Sequence, residues 1–153
     1  MKEREGTDGT AVMDVDQRDA IILDMLEADG HATLVQMSKA TGLSVSAVQS
    51  RVQKLERRGI IRGYKAVIDH ERRGLPISAF VSVTPLDYSQ EADIPEKLHG
   101  LDGVVSCYSI AGAPSFMLLV RVASPGRLEE LLNLIHRTVP VSTESTVILQ
   151  TYF

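Results

Sequence analysis

Residues 43–65 read LSVSAVQSRVQKLERRGIIRGYK and combine an apolar stripe with a cluster of positive charge. Ser44 is a favourable N-cap and Gly59 a favourable helix terminator, so the segment between them is predicted to be one helix. Its apolar residues are spaced three, four and three positions apart, which is typical of one buried helical face: Val45, Val48, Val52 and Leu55. The opposite face is therefore predicted to be polar, cationic and exposed.

Two helices are predicted upstream of this segment. Asp16 can cap the first, whose apolar residues recur at helical spacing: Ile21, Ile22, Met25 and Leu26. Thr33 and Gln36 form a capping box for a second, short helix, and Gly42 can supply its left-handed exit. The residues of this second helix expected to face inward are Leu34, Met37 and Ala40.

The segment after Gly59 is predicted to form a two-stranded wing. Residues 60–68 alternate imperfectly between apolar and polar side chains, and Gly63 is available for a tight turn. Three helices followed by a wing are the order of a winged helix-turn-helix, here over residues 14–69.

The exposed face of the third helix is predicted to bind double-stranded DNA. Short hydrogen-bonding groups near its N-terminus can reach base edges, and cations further along can meet phosphate. The predicted contacts are Ser44, Ser46, Ala47, Gln49, Ser50, Arg51, Lys54 and Arg57. Arg62 and Lys65 in the wing are either further phosphate contacts or residues that only favour solubility.

The charge distribution agrees with a local interface. The chain has 153 residues and a formal net charge of -4. Its positive charge is concentrated in residues 44–65, where six Lys and Arg side chains accompany only Glu56, whereas the flanking regions are acidic. A localised basic surface is the electrostatic signature expected of a protein that binds DNA.

The second half of the chain has a different pattern. Residues 70–76 contain two arginines, a glycine and a proline without periodicity, and they are predicted to be a hinge. Residues 77–153 are expected to form one α+β domain. Strands are predicted at 77–84, 104–111, 116–122 and 141–152, with helices at 92–98 and after Ser124. The order βαββαβ is that of a ferredoxin-like fold.

One strand of this domain is apolar on both sides. Residues 116–120 read FMLLV, so both faces of the sheet need cover. Two helices can screen only one face, and a second copy related by a two-fold axis is the simplest cover for the other. We therefore expect a homodimer.

Residues 43–61 resemble the recognition helix and wing of the Lrp/AsnC family, the leucine-responsive regulators, and residues 16–33 are similar to its opening segment. Residues 104–122, centred on Ala111 and Gly112, resemble the family's regulation-of-amino-acid-metabolism (RAM) domain. The resemblance implies a winged helix-turn-helix joined to a βαββαβ domain, dimers that assemble into tetramers, octamers or larger rings, and pseudo-palindromic promoter DNA as partner. It also implies an amino acid or related metabolite as effector.

The resemblance places the effector beside the loop formed by Gly112, Ala113, Pro114 and Ser115. A plain hairpin turn explains this loop equally well. The family often has an acidic residue where this chain has Ser115, so an effector ammonium group would lose a charged partner here. Tyr108 is either a further ligand contact or a core residue.

Other classes of protein find little support. The four histidines are far apart, and no catalytic or phosphate-binding motif is found, so neither an enzyme, a metal site nor a cofactor is expected. Cys107 is the single cysteine and is expected to be a buried strand residue. Residues 1–13 are expected to be a disordered tail without a signal peptide, and no apolar run could span a membrane, which predicts a cytoplasmic, nucleoid-associated protein.

Two alternatives to a metabolite-responsive regulator stay open. One is an architectural protein that oligomerises and wraps DNA without any ligand. The other is a free-standing metabolite sensor whose basic helix is incidental.

Overall fold

The computed structural model describes residues 15–152, so the tail expected at residues 1–13 lies outside the described part. The chain divides into two compact units between Val67 and Ile68. The segment expected to be a hinge, residues 70–76, falls within the second unit. It contains a turn in which the Leu75 amide donates to the His70 carbonyl at 2.8 Å.

The first unit contains the three predicted helices, α1 (Gln17–Ala28), α2 (Leu34–Thr41) and α3 (Val45–Arg57). The predicted helix ends are confirmed. Asp16 caps α1, and Thr33 and Gln36 form the capping box of α2. Gly42 and Gly59 have φ values of 69° and 70°, the left-handed conformation that ends a helix at low cost for glycine.

The core of this unit is made by one apolar residue or pair from each helix. Its fully buried side chains are Ile22, Met37, Val48 and Leu55. The buried stripe of α3 is therefore confirmed at its centre, with Val52 half-buried beside it.

Two expectations about inward-facing residues were wrong. Val45 is 41% exposed, because it is the first residue of α3 and lies at the rim of the core. In α2, Ala40 is exposed and Thr41 is buried instead. The Thr41 hydroxyl donates to the Met37 carbonyl at 2.7 Å, so a polar side chain can occupy this inward position.

The segment after α3 does not contain the expected pair of wing strands. Residues 60–69 form no regular strand. The amides of Ile60 and Ile61 both donate to the Leu55 carbonyl, and both side chains pack on the core. Beyond them Val67 is fully exposed. A two-stranded hairpin that cannot bury an apolar face is only marginally stable in water. The expected wing has no such face to bury within the first unit, so its strands do not form.

The second unit has the predicted βαββαβ order. Its elements are β1 (Ile77–Pro85), a 3₁₀ helix (Tyr88–Asp93), α4 (Ile94–Leu98), β2 (Val104–Ser109), β3 (Phe116–Val122), α5 (Pro125–Thr138) and β4 (Val141–Ile148). The strands form one antiparallel sheet in the order β2-β3-β1-β4, which is the ferredoxin-like topology. The helix predicted at residues 92–98 is shorter than expected, and the 3₁₀ helix precedes it.

Within the described residues of the second unit, 68–152, helices cover one face of this sheet. Alternate residues of β1 and β3, such as Val81 and Leu118, are fully buried in a core shared with α4 and α5. On the other face, Phe80 of β1 lies opposite Leu119 of β3, and Phe80 is 43% exposed. The two apolar sides of β3 therefore have different surroundings. One side packs in the core beneath the helices, and the other side lies on a face without helices, which we call the helix-free face.

Candidate nucleic-acid interface

The outer surface of α3 carries the polar and cationic side chains that were predicted to lie there. Ser46, Gln49, Ser50, Lys54 and Arg57 are all exposed. They are exposed because Val48 and Leu55, on the opposite side of the same helix, are completely buried. The N-terminal half of the surface offers short hydrogen-bonding groups, and its C-terminal half offers two cations.

Two of the predicted contacts have structural roles at the start of α3. The Ser44 hydroxyl accepts a hydrogen bond from the Ala47 amide at 3.2 Å and also lies 3.2 Å from the Ser46 hydroxyl. Ala47 is half-buried. Ser44 thus stabilises the N-terminus of the helix, and its hydroxyl is already engaged.

Arg51 forms ion pairs that were not predicted. Its Nη1 lies 2.5 Å from Asp16 Oδ2 and 2.8 Å from Asp19 Oδ1, so one guanidinium joins α3 to two carboxylates of the α1 region. The Asp19 side chain is only 8% exposed. These contacts give Arg51 a structural role that links α3 to the α1 region, and its contact with DNA stays a prediction.

The cluster shifts the pKa of two of its members. A backbone hydrogen bond from Asp19, and then one from the Arg51 guanidinium, lower the pKa of the Asp16 carboxyl. Hydrogen bonds to Asp19 and Asp16 raise the pKa of Arg51. Asp16 and Arg51 are therefore both charged at neutral pH. No local pattern in the sequence indicates this cluster, because Asp19 and Arg51 are 32 positions apart.

The segment after α3 adds two exposed cations, Arg62 and Lys65. Between them, the Tyr64 hydroxyl donates to Glu56 Oε1 at 2.9 Å and so ties the segment to α3. Partial burial, together with this carboxylate, raises the pKa of Tyr64. Glu56 is the single acidic residue of the basic segment 44–65, and this hydrogen bond occupies one oxygen of its carboxylate.

The loop predicted to lie beside an effector joins β2 to β3 in the second unit. The Ile110 amide donates to the Ser115 carbonyl, and the Ser115 amide donates to the Val83 carbonyl, each at 3.1 Å. These bonds anchor the base of the loop, and Gly112 and Ala113 at its tip are exposed. A Cβ added at Gly112 would meet open space, so packing within the chain does not require glycine there.

The remaining predicted ligand contacts are the other two residues of this loop and Tyr108, which precedes it. Pro114 and Ser115 are half-buried. Tyr108 is 54% exposed and lies opposite Met117 on the helix-free face, so the alternative that it is a core residue was wrong. Cys107, on the other side of β2, is half-buried against the core, and burial raises the pKa of its thiol.

Residues 15–152 were compared with what a membrane-spanning helix and a metal site would require. No helix among them is long and apolar enough to cross a membrane. These residues also contain no group of three or more His, Cys, Asp or Glu side chains arranged to hold a metal ion.

Both halves of the chain match known family models. Residues 15–62 match the winged helix-turn-helix DNA-binding model, and residues 78–153 match the Lrp/AsnC ligand binding domain. The chain is 52% identical over 139 residues to the HTH-type transcriptional regulator LrpA of Mycobacterium tuberculosis, covering 91% of this chain and 93% of that protein. It is 31% identical to the regulator LrpC of Bacillus subtilis over 79% of this chain and 83% of that one.

Solved structures agree with these matches. The feast or famine regulatory protein of M. tuberculosis complexed with L-methionine superposes with a TM-score of 0.87 at 52% identity, covering 91% of this chain and 95% of that one. The structure of B. subtilis LrpC gives a TM-score of 0.80 at 29% identity, with 92% and 99% coverage. Sequence, fold and the exposed basic surface of α3 thus lead to one conclusion: the chain belongs to the Lrp/AsnC family of HTH-type transcription regulators.

Proposed function

We propose that the chain regulates transcription by binding specific DNA sequences through the outer surface of α3 and by responding to an amino acid through its second unit. One observation carries the DNA-binding part. Val48 and Leu55 are buried while Ser50 and Lys54 are exposed, so the polar and cationic surface of α3 is available to a major groove.

Within this proposal the contacts divide by chemistry. Ser46, Gln49 and Ser50 are the candidates for base edges, because hydroxyl and amide groups can donate and accept hydrogen bonds there. Lys54 and Arg57 are the candidates for phosphate, since neither forms an ion pair among residues 15–152. Ser44, Ala47 and Arg51 act by shaping and holding the helix.

The helix-free face supports a further part of the proposal, that the chain forms a homodimer. Phe80, Met117 and Leu119 lie side by side on this face without a covering helix in the second unit. A two-fold related copy would bury the same residues of both chains and remove their apolar surface from water. Assembly of such dimers into tetramers, octamers or larger rings is an extension of this proposal.

The ligand-response part rests on the loop between β2 and β3. The open space around Gly112 and the exposed Tyr108 leave room for a small molecule beside this loop. A relative of 52% identity has been solved with L-methionine, so apolar amino acids are the first ligands to test. Because Ser115 is uncharged, we expect the ligand ammonium group to bind elsewhere. A regulator of this kind acts in the cytoplasm, in association with the nucleoid.

Two measurements test the proposal. Selection of duplexes from a random pool by the full chain should enrich a pseudo-palindromic sequence, and a pool that stays random would favour an architectural protein. A thermal-shift screen of the twenty amino acids should raise the unfolding midpoint for at least one of them, because a ligand that binds the native state stabilises it. A flat screen at millimolar concentrations would contradict the ligand response.

A further inference from the structure

The second unit contains a surface cavity of about 830 Å³ that is separate from the loop at Gly112. It lies where β2 begins and β3 ends, beside α5 and the turn at residues 70–75. The loop at Gly112 is at the other end of the same two strands. Seven residues of β3 separate the two ends, which is roughly 20 Å at the usual rise of an extended strand.

The charge of this cavity is unbalanced. Arg73, Arg121 and Arg137 line it, and none of the three has an ion-pair partner among residues 15–152. Two carboxylates also line it. Glu130 is neutralised by Arg127 at 2.6 Å, which leaves Asp102 against three arginines. The lining therefore carries an excess of about two positive charges, counted as three arginines less one carboxylate.

One of the lining cations has no partner among the described residues although it is partly withdrawn from water. Arg121 is half-buried, and no hydrogen bond to its guanidinium is found in the described residues. Polar and charged groups that are withdrawn from water are usually hydrogen-bonded or paired, so the unpaired Arg121 guanidinium indicates an occupant that can accept hydrogen bonds.

The remaining wall is apolar. Leu75, Val104 and Leu134 line the cavity, and Leu134 is 37% exposed. A volume of several hundred Å³ that combines a few polar groups with aliphatic side chains is typical of sites for small organic molecules. The carbon skeleton of a small metabolite could pack on this wall while its charged groups face the arginines.

We propose that this cavity binds a small organic dianion, either a dicarboxylate or a phosphate ester. A dianion matches the excess of two positive charges, and guanidinium groups bind carboxylate and phosphate oxygens with strong, charge-assisted hydrogen bonds. A zwitterionic amino acid carries no net charge and would leave the excess uncompensated. The ligand would contact the turn that follows the first unit as well as α5, so its binding would also order that turn.

The two consecutive arginines of this turn provide a matched test. Arg73 lines the cavity, whereas Arg72 does not and instead pairs with Asp69 at 3.2 Å with 89% of its side chain exposed. Isothermal titration calorimetry of the full chain at constant ionic strength would use succinate, inorganic phosphate and L-leucine as separate probes. Arg73→Gln should weaken dianion binding roughly tenfold, because one charge-assisted hydrogen bond is lost, and Arg72→Gln should leave it unchanged.

Each result decides the proposal. Binding of succinate alone would identify a dicarboxylate, binding of phosphate alone a phosphate ester, and both would support a dianion site. Absence of heat from both dianions at millimolar concentrations, an equal loss in the two variants, or L-leucine binding that weakens in Arg73→Gln but not in Arg72→Gln would overturn it. The titrations with the two dianions involve neither DNA nor the loop at Gly112, so their failure would leave the proposed regulator function intact.

Discussion

Nη1 of Arg51 lies 2.8 Å from Oδ1 of the buried Asp19, and this ion pair connects the DNA-binding helix α3 to α1. The same guanidinium also meets Asp16, the N-cap of α1. The orientation of α3 therefore depends on a polar contact in addition to its buried apolar residues. Arg51 lies on the DNA-binding helix but points its charge into the protein's own structure.

Arg51→Ala should destabilise the first unit by about 1–3 kcal/mol, because it leaves the Asp19 carboxylate buried without its partner. DNA affinity should fall through misplacement of α3, while the slope of log affinity against log salt stays at the wild-type value. Urea unfolding and fluorescence anisotropy measure the two effects. Arg62→Ala, which removes an exposed cation, is the stability control. A slope that flattens in Arg51→Ala would show that this residue contacts phosphate after all.

Asp16→Asn should flatten the acid dependence of stability. The pKa of Asp16 is lowered in the folded chain, so the unfolded chain binds the proton more readily. This stabilisation is present above the ordinary carboxyl pKa of about 4 and is lost as the pH falls through the lower folded value. Asparagine preserves the N-cap and removes only the charge. Urea midpoints measured between about pH 6 and pH 3 should decline less steeply in the variant, and parallel curves would exclude a contribution from Asp16.

Gly103→Ala should destabilise the second unit by about 1–3 kcal/mol. Gly103 has a φ of 95°, and an added Cβ would lie 3.0 Å from Leu131 Cδ2 and 3.1 Å from Val122 Cγ1. Gly126→Ala is the matched control, because Gly126 lies in α5 and its new Cβ would contact only Ser124 Oγ at 3.9 Å. That change should be neutral or stabilise by about 0.5–1 kcal/mol. Equal unfolding midpoints for the two variants would contradict the assignment.

Phe80→Glu should dissociate the proposed dimer, because each chain would then bury a carboxylate in the apolar interface. Analytical ultracentrifugation should show a smaller species than the wild type at the same concentration. Glu129→Gln is a control on α5, outside the helix-free face, where the residue is already exposed. A Phe80→Glu protein that sediments like the wild type would move the dimer interface away from this face.

Local signals in the sequence predicted most of the fold. Capping by Asp16, Thr33 and Ser44 set the helix starts, and glycine with positive φ set two of the helix ends. These signals act over three or four residues, so they can be read without knowledge of tertiary contacts.

The predictions that were wrong or missing concern features that depend on tertiary contacts. The spacing of Val45 equals that of its buried neighbours, but its position at the end of α3 leaves it exposed. The wing strands were expected from alternation alone, which does not show whether an apolar face is buried. The contact between Arg51 and Asp19 joins residues 32 positions apart, and no periodicity indicates such a pair.

The two candidate sites show the same difference between local signals and tertiary contacts. The outer surface of α3 could be predicted because helical geometry fixes it once Val48 and Leu55 are buried. The cavity beside α5 could not, because Arg73, Arg121 and Arg137 come from three separate segments that only the fold brings together.

The most direct test of DNA binding by α3 is the salt dependence of affinity for a duplex selected by the wild-type chain. Lys54→Gln and Arg57→Gln should each reduce the slope of log affinity against log salt by about 0.9 for every phosphate contact removed, while Lys97→Gln in the second unit should not change it. Wild-type slopes in both α3 variants would contradict the account, because the exposed cations of this helix would then take no part in binding DNA.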